Sequence, residues 1–169
     1  MRDYQQYATV VAVFAAVLLA ALLVAAFGLI SLLVDTDVIS DPNAGPLVGP
    51  IMTAAAVVLV LILMLLLGLR TRPENQRIAV GYSLGTGFAA IGVFVLVGGV
   101  LYALGTGVPA DTAGLPGDSV GFAASVLLGP FAVTTGILAF IITLLYSLVL
   151  ASRMPERGPP KWPWERDDD

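Results

Sequence analysis

The sequence predicts an all-α membrane protein with four transmembrane helices, and two observations lead to this fold class. The first is composition: 58% of the 169 residues are hydrophobic and 12% are charged, whereas about a quarter of the residues in a soluble domain are charged. The second is that the charges lie in short segments, which leaves uncharged runs at 4–34, 42–69, 78–110 and 119–152. Each run exceeds the roughly 20 apolar residues that cross a bilayer. The runs lack the strict alternation of barrel strands, so we expect helices.

The first three spans are bounded by charged segments. Span one is predicted at 8–34, span two at 47–69 and span three at 78–104. The first apolar run is far longer than the about 7–15 residues of a signal-peptide core, and the short segment before it is nearly neutral. We therefore expect span one to be an uncleaved membrane helix.

The fourth span is predicted at 120–151 with a break near residues 129–130. Gly129 and Pro130 lie inside the apolar run, and an internal proline breaks or kinks a helix. Either a short outer-leaflet helix precedes a span that starts at Pro130, or one long helix is kinked. Length favours the first arrangement, because residues 130–151 alone extend about 33 Å at 1.5 Å per residue. Residues 1–154 then form the transmembrane domain, and residues 155–169 form a tail.

The basic residues predict the orientation, because they stay on the cytoplasmic side of a membrane protein. All of them precede span one, separate spans two and three, or follow span four: Arg2, Arg70, Arg72, Arg77, Arg153, Arg157, Lys161 and Arg166. The other two loops contain acidic residues and no basic residue. We therefore expect a multi-pass protein with both termini in the cytoplasm.

The two halves of the chain resemble each other. Leu47-Val48-Gly49-Pro50 recurs as Leu127-Leu128-Gly129-Pro130, at an offset of 80 residues. This recurrence favours a duplicated two-helix hairpin, related by an axis along the membrane normal. The alternative is that Gly-Pro marks a helix start in each half independently.

Composition argues against an enzyme and predicts no catalytic, cofactor or metal site. The chain contains no histidine and no cysteine, and its uncharged runs contain no carboxylate. The usual catalytic and ligating groups are therefore missing from the spans.

The first acidic loop resembles the start of a calcium-binding loop. Asp35 and Asp37 match that pattern, but Ile39, Ser40 and Pro46 occupy positions that need an oxygen ligand, glycine and glutamate. A solvated loop is the preferred interpretation and a weak cation site the alternative. The net charge of −4 and scattered basic residues predict no nucleic-acid partner.

Small and polar residues recur at intervals of four and predict faces where helices pack closely. In span three the predicted packing residues are Gly81, Gly85 and Ala89. In span four they are Thr135, Ala139, Thr143, Ser147 and Ala151, whereas Leu138 and Ile142 fall off this stripe. The expected receivers of the span-four stripe are span three and the alanines at 8, 12, 16 and 20 of span one. We interpret these faces as contacts within the bundle; self-association or docking to another membrane protein is the alternative.

The tail contains four prolines and the only tryptophans of the chain, Trp162 and Trp164. Tryptophan prefers the headgroup layer of a bilayer, and Lys161 and Arg166 lie beside it. We expect these two side chains to anchor the tail on the inner leaflet. A peptide ligand for a cytoplasmic partner and a disordered tail without a role are the alternatives.

The tail sequence Lys161-Trp162-Pro163-Trp164-Glu165, with its terminal acidic run, resembles that of small uncharacterised four-span membrane proteins of Actinobacteria. The stretch from Asp35 to Pro50 is similar as well, so the resemblance covers nearly the whole chain. It implies a bacterial inner-membrane setting. The resembled family has no assigned activity, so it supplies no catalytic residues.

These observations favour a structural or interaction role, as an accessory protein of the bacterial plasma membrane that binds other membrane components. The alternative is an oligomeric passive pore or carrier for a small solute, with threonine and serine side chains lining its path. Carriers that use a proton-coupled carboxylate are disfavoured, because the spans contain none.

Overall fold

The computed structural model describes residues 2–35, 47–70, 79–105 and 116–152. These residues form five helices: α1 (Arg2–Val34), α2 (Val48–Arg70), α3 (Val80–Gly105), α4 (Pro116–Leu128) and α5 (Pro130–Ser152). Four of them, α1, α2, α3 and α5, are long and apolar enough to cross a membrane. The predicted all-α fold with four transmembrane helices is confirmed for the described part of the chain. The tail, with Trp162 and Trp164, lies outside the described residues.

Helix α1 starts well before the predicted span. It begins at Arg2 and includes 33 residues, which extend about 50 Å at 1.5 Å per residue. A hydrocarbon core is only about 30 Å thick, so α1 tilts or projects beyond it. The apolar pattern marks only the part of a helix inside the hydrocarbon core, and a helix continues past it when no residue breaks the backbone.

Gly129 and Pro130 divide the last apolar run into two helices. Helix α4 ends at Leu128 and α5 begins at Pro130. Because proline has no backbone N–H, it fits the first position of a helix and cannot donate to the preceding turn. The Gly129 amide instead donates to the Val126 carbonyl at 3.1 Å and closes the end of α4. The structure therefore has the short separate helix of the first arrangement.

The four long helices form a closed ring. Helix α1 packs against α2, α2 against α3, α3 against α5, and α5 against α1. Neighbours run antiparallel, as the contact pairs Ala8 with Tyr146 and Phe27 with Phe131 show for α1 and α5. We call the end of the bundle that carries Arg70 the basic end, and the end that carries Asp35 the acidic end.

One face of each helix is buried inside this ring. The buried residues of α2 recur at intervals of four: Val48, Met52, Ala56, Val60, Met64 and Gly68. Those of α1 begin with three alanines and end with an aromatic side chain: Ala8, Ala12, Ala16, Leu19, Leu23 and Phe27. The outward faces carry large apolar side chains, among them Phe14, Val24 and Leu32. Such a surface is compatible with lipid, because the acyl chains of a bilayer are as apolar as these side chains.

Aromatic side chains hold the helices together at both ends. Toward the basic end, the Tyr146 hydroxyl donates to the Ala8 carbonyl at 3.2 Å, and the Tyr82 hydroxyl donates to the Leu63 carbonyl at 2.6 Å. Toward the acidic end, the Phe27 ring contacts the rings of Phe94 and Phe131, with centroids 6.0 and 5.3 Å away in edge-to-face geometry. Hydrogen bonds therefore link helices at one end and ring packing at the other.

The short helix α4 packs mainly on α3. The rings of Tyr102 in α3 and Phe122 in α4 stack with centroids 4.3 Å apart and planes 8° from parallel. Phe122 is buried, whereas Leu127 and Leu128 at the end of α4 are exposed. At the offset of 80 residues, most of the segment equivalent to α4 lies at 36–46, outside the described residues, so the predicted duplication stays a prediction. Both Gly-Pro pairs do lie in the first turn of a helix or just before it, at the starts of α2 and α5.

Candidate functional site: the α3–α5 interface

The predicted stripe of small residues in α5 faces the interior of the bundle. Ala139 and Thr143 are 0% exposed, Thr135 and Ser147 are 1% exposed, and Ala151 is half-buried. Three alanines predicted to receive it, Ala8, Ala12 and Ala16, are buried in α1, and Ala20 is half-buried. The buried face of α5 is wider than the stripe, because Ile142 is also buried and Leu138 is half-buried. Ile142 therefore does not face away from the bundle, although the interval of four places it off the stripe.

Helices α3 and α5 approach each other most closely at two glycines. A Cβ atom placed on Gly87 would lie 2.9 Å from the Gly136 carbonyl oxygen and 3.2 Å from the Phe140 Cβ. A Cβ atom on Gly136 would collide with the Ile91 side chain and lie 3.2 Å from the Gly87 carbonyl oxygen. Only glycine allows two helix backbones to come this close.

The predicted packing residues of α3 are not the ones that meet α5. Gly81 and Gly85 are exposed and Ala89 is half-buried; a Cβ atom on either glycine would meet nothing within 4 Å. The buried residues of α3 in this part of the helix are Ser83, Thr86, Gly87 and Ala90. The expectation that Gly81 and Gly85 pack inside the bundle is therefore wrong. Residues two apart point about 200° apart on a helix, so the predicted stripe lies on the opposite side from the true interface.

A sequence signal for the correct face of α3 was present. Ser83 and Thr86 are the only hydroxyl-bearing residues of α3 apart from its tyrosines, and polar groups in a span face protein rather than lipid. Gly87 and Ala90 follow these two residues at helical spacing. The hydroxyl groups, rather than the glycines alone, identify the buried side of the helix.

Most buried hydroxyls bond to a carbonyl of their own helix. Ser83 donates at 3.0 Å to Ala79, the residue just before α3, and Thr86 donates to Tyr82 of α3 at 3.0 Å. In α5, Thr135 donates to Phe131 at 2.8 Å. Ser147 Oγ donates to the Leu144 carbonyl at 2.8 Å. These bonds satisfy the hydroxyl protons without linking helices, and each leaves lone pairs on the hydroxyl oxygen.

Thr143 is the exception in α5. Its side chain is fully buried, yet no described residue gives its Oγ1 a hydrogen-bond partner. A buried hydroxyl without a partner costs about 1–3 kcal/mol.

Sequence reasoning missed the contact of Tyr146 with α1 and α2. The Tyr146 hydroxyl bonds to the Ala8 carbonyl and also lies where a Cβ atom on Gly68 would be. That Cβ atom would lie 3.1 Å from the Ala8 Cβ as well. Gly68 therefore makes room for the hydroxyl, and three helices meet at this point.

The acidic end offers little that could hold a metal within the described part of the chain. No group of three acidic, histidine or cysteine residues gathers there. Asp35 is exposed and has a positive φ of 52°, a conformation that aspartate tolerates better than most residues and that often ends a helix. The remaining acidic residues of the predicted outer loops lie outside the described residues.

Four apolar helices in a ring, with lipid-compatible outward faces, define a multi-pass α-helical membrane protein. Its most extensive helix interface lies between α3 and α5. The chain belongs to DUF6121, a family of unknown function whose model matches residues 1–169. No curated protein and no solved structure matches the chain.

Proposed function

We propose that this protein is a structural or interaction component of the bacterial plasma membrane, and that it binds a second copy of itself through the outward face of α3. The observation that carries this proposal is the glycine content of that face. A Cβ atom placed on Gly81, Gly85 or Gly92 would meet nothing within 4 Å. Large apolar side chains, Leu84 and Phe88, flank them.

The other spanning helices present different surfaces to lipid. Among the described residues, α2 and α5 expose large aliphatic side chains and no glycine: Ile51, Val58, Ile62 and Leu66 in α2, and Val133, Ile137, Ile141 and Leu145 in α5. Helix α1 exposes one glycine, Gly28. Glycine weakens a helix by about 0.5–1 kcal/mol relative to alanine. Gly81, Gly85 and Gly92 of α3 make no close contact inside the chain, whereas close contact with a second helix would use them.

Cross-linking in membranes tests this proposal, and the absence of native cysteine makes single-cysteine variants free of background. We expect Leu84→Cys to form a discrete cross-linked species and Ile137→Cys, on the outward face of α5, to form none. Adding Gly85→Leu to the first variant removes the species. We expect Gly85→Leu by itself not to lower the Tm of the single chain, because Gly85 is exposed and an added Cβ atom meets nothing within 4 Å. Equal cross-linking at both positions, or persistence with Gly85→Leu, contradicts the proposal.

The alternative, an oligomeric pore or carrier, is less well supported. Thr135, Thr143 and Ser147 are buried inside one bundle, so they cannot line a path between protomers. Uptake of small neutral solutes into vesicles that contain the purified protein separates the two functions. We expect vesicles with the protein to take up these solutes no faster than protein-free vesicles do. A faster, saturable uptake would favour the carrier.

We also propose that the protein is not an enzyme. This rests on the lack of histidine and cysteine in the chain and of carboxylates in its apolar runs, which leaves the serine and threonine hydroxyls of the spans without a usual general base. Under these proposals the protein binds the bilayer and one protein partner.

A further inference from the structure

We propose that a buried water molecule binds between α3 and α5 and connects Thr143 with Ser83 and Ser147. The first observation is the Thr143 hydroxyl, which is fully buried and has no hydrogen-bond partner among the described residues. Thr134 and Thr135, in the same helix, both donate to the carbonyl four residues earlier. Thr143 could do the same with Ala139, but its hydroxyl does not.

The packing register places Ser83 opposite Thr143. Gly87 faces the stretch of α5 between Gly136 and Phe140, and Ile91 faces Gly136, so the two helices run antiparallel. Ser83 lies one turn before Gly87, about 6 Å toward the basic end at 1.5 Å per residue. Moving the same distance along α5 leads to residues 140–144, the turn that contains Thr143. Both side chains are 0% exposed, so each lies in the interior of the bundle at this turn.

The three hydroxyl groups at this turn are complementary, but no direct hydrogen bond joins Thr143 to either serine. Ser83 and Ser147 give their protons to Ala79 and Leu144, so their oxygens present only lone pairs to the interior. Thr143 has a proton to give. One water molecule accepts this proton and donates its own two protons to the serine oxygens, which makes three hydrogen bonds. Buried waters in proteins typically make about three such bonds.

Lipid makes this site consequential. No bulk water reaches the hydrocarbon core to satisfy an unpaired hydroxyl, so a water trapped between the packed helices is the partner for a hydroxyl that does not bond to its own helix. Polar groups that face each other without a direct bond are commonly joined in this way.

Two measurements on the full chain in lipid vesicles test the site. In solid-state NMR with transfer from water protons, we expect a signal at Thr143 and none at Thr135, which is bonded within its own helix. No transfer to Thr143 overturns the proposal whatever the stability data show.

Stability gives an independent test whose sign is informative. Valine is close to threonine in shape, so Thr143→Val removes the hydroxyl and little else. We expect Thr143→Val and Ser83→Ala each to lower the Tm by a few degrees. The double variant should lose less than the sum, because both residues hold the same water. Thr135→Val is the control and should show no coupling to Ser83→Ala. An unchanged or higher Tm for Thr143→Val, or additive losses, shows that the site is dry and overturns the proposal.

Discussion

At the scale of single residues, Tyr146 shows how one side chain joins three helices of this bundle. Its hydroxyl donates to Ala8 of α1 and occupies the space that Gly68 of α2 leaves open. Between helices in a membrane a hydrogen bond contributes about 0.6 kcal/mol on average, so shape matters at least as much as the bond. Gly68 has no side chain, and this allows the tyrosine to reach α1.

A double-mutant cycle at this point tests the steric argument. We expect Gly68→Ala to destabilise the protein by about 1–3 kcal/mol, the usual cost of overpacking a filled interior. In a Tyr146→Phe background the same change should cost clearly less, because the atom nearest the new Cβ is gone. The Ala8 Cβ at 3.1 Å and the ring carbon at 3.4 Å remain, so a smaller cost is expected to persist. Unfolding in mixed detergent micelles measures all four proteins.

Gly28→Ala provides the control for the cycle. Gly28 is exposed on α1 and a Cβ atom there meets nothing within 4 Å, so alanine should be neutral or slightly stabilising through its helix propensity. Equal costs for Gly68→Ala with and without the tyrosine hydroxyl would show that the hydroxyl does not fill the space beside Gly68.

At the scale of helices, the contact of α3 with α5 shows why spacing alone misidentified a packing face. Two glycine-containing stripes exist on α3, on opposite sides of the helix. The stripe with Gly87 meets α5, and the stripe with Gly81 and Gly85 faces outward. An interval of four residues shows that a face exists, but it carries no information about the direction in which that face points.

The same substitution at two neighbouring glycines of α3 tests this assignment. We expect Gly87→Ala to lower the stability by about 1–3 kcal/mol, because its Cβ meets a backbone oxygen that cannot move without shifting α5. Gly85→Ala, two residues away in the same helix, should not be destabilising, because its Cβ meets nothing. Thermal unfolding of the two variants in one detergent decides; comparable losses would contradict the packing described for α3.

At the scale of the whole molecule, the ring places four helix ends on the same side: the start of α1, the end of α2, the start of α3 and the end of α5. Arg70 lies at this basic end with the start of α1 and the end of α5, and Asp35 lies at the other. The structure thus brings together the helix ends that border the segments assigned to the cytoplasm by their basic residues. Which end faces the cytoplasm follows from the distribution of charge and stays a prediction.

Labelling of single cysteines tests the orientation, again without native cysteine as background. In intact cells we expect a membrane-impermeant maleimide to label Ser40→Cys and Ala113→Cys, which lie in the acidic loops. Asn75→Cys, between spans two and three, should react only after the membrane is permeabilised. The reverse pattern would show that the basic segments face outward, against the usual rule.

Much of the fold was predictable because the bilayer imposes simple requirements on the chain. Long uncharged runs predicted four spanning helices, and Pro130 predicted the helix start that separates α4 from α5. The burial of Ala139, Thr143 and Ser147 also followed from their spacing. The start of α1 was not predictable in this way, because the residues before the apolar span continue the helix back to Arg2.

The sequence by itself determined the number of spanning helices, since apolar length and the lack of charge follow from what lipid tolerates in any arrangement. It also determined that α5 carries a face of small residues. Only the tertiary structure decided which partner that face meets, which glycines of α3 lie inside, and that Tyr146 reaches Ala8 across the bundle. These outcomes depend on how each helix is rotated about its axis. In lipid that rotation is set by close packing between neighbouring helices, which local sequence spacing does not encode.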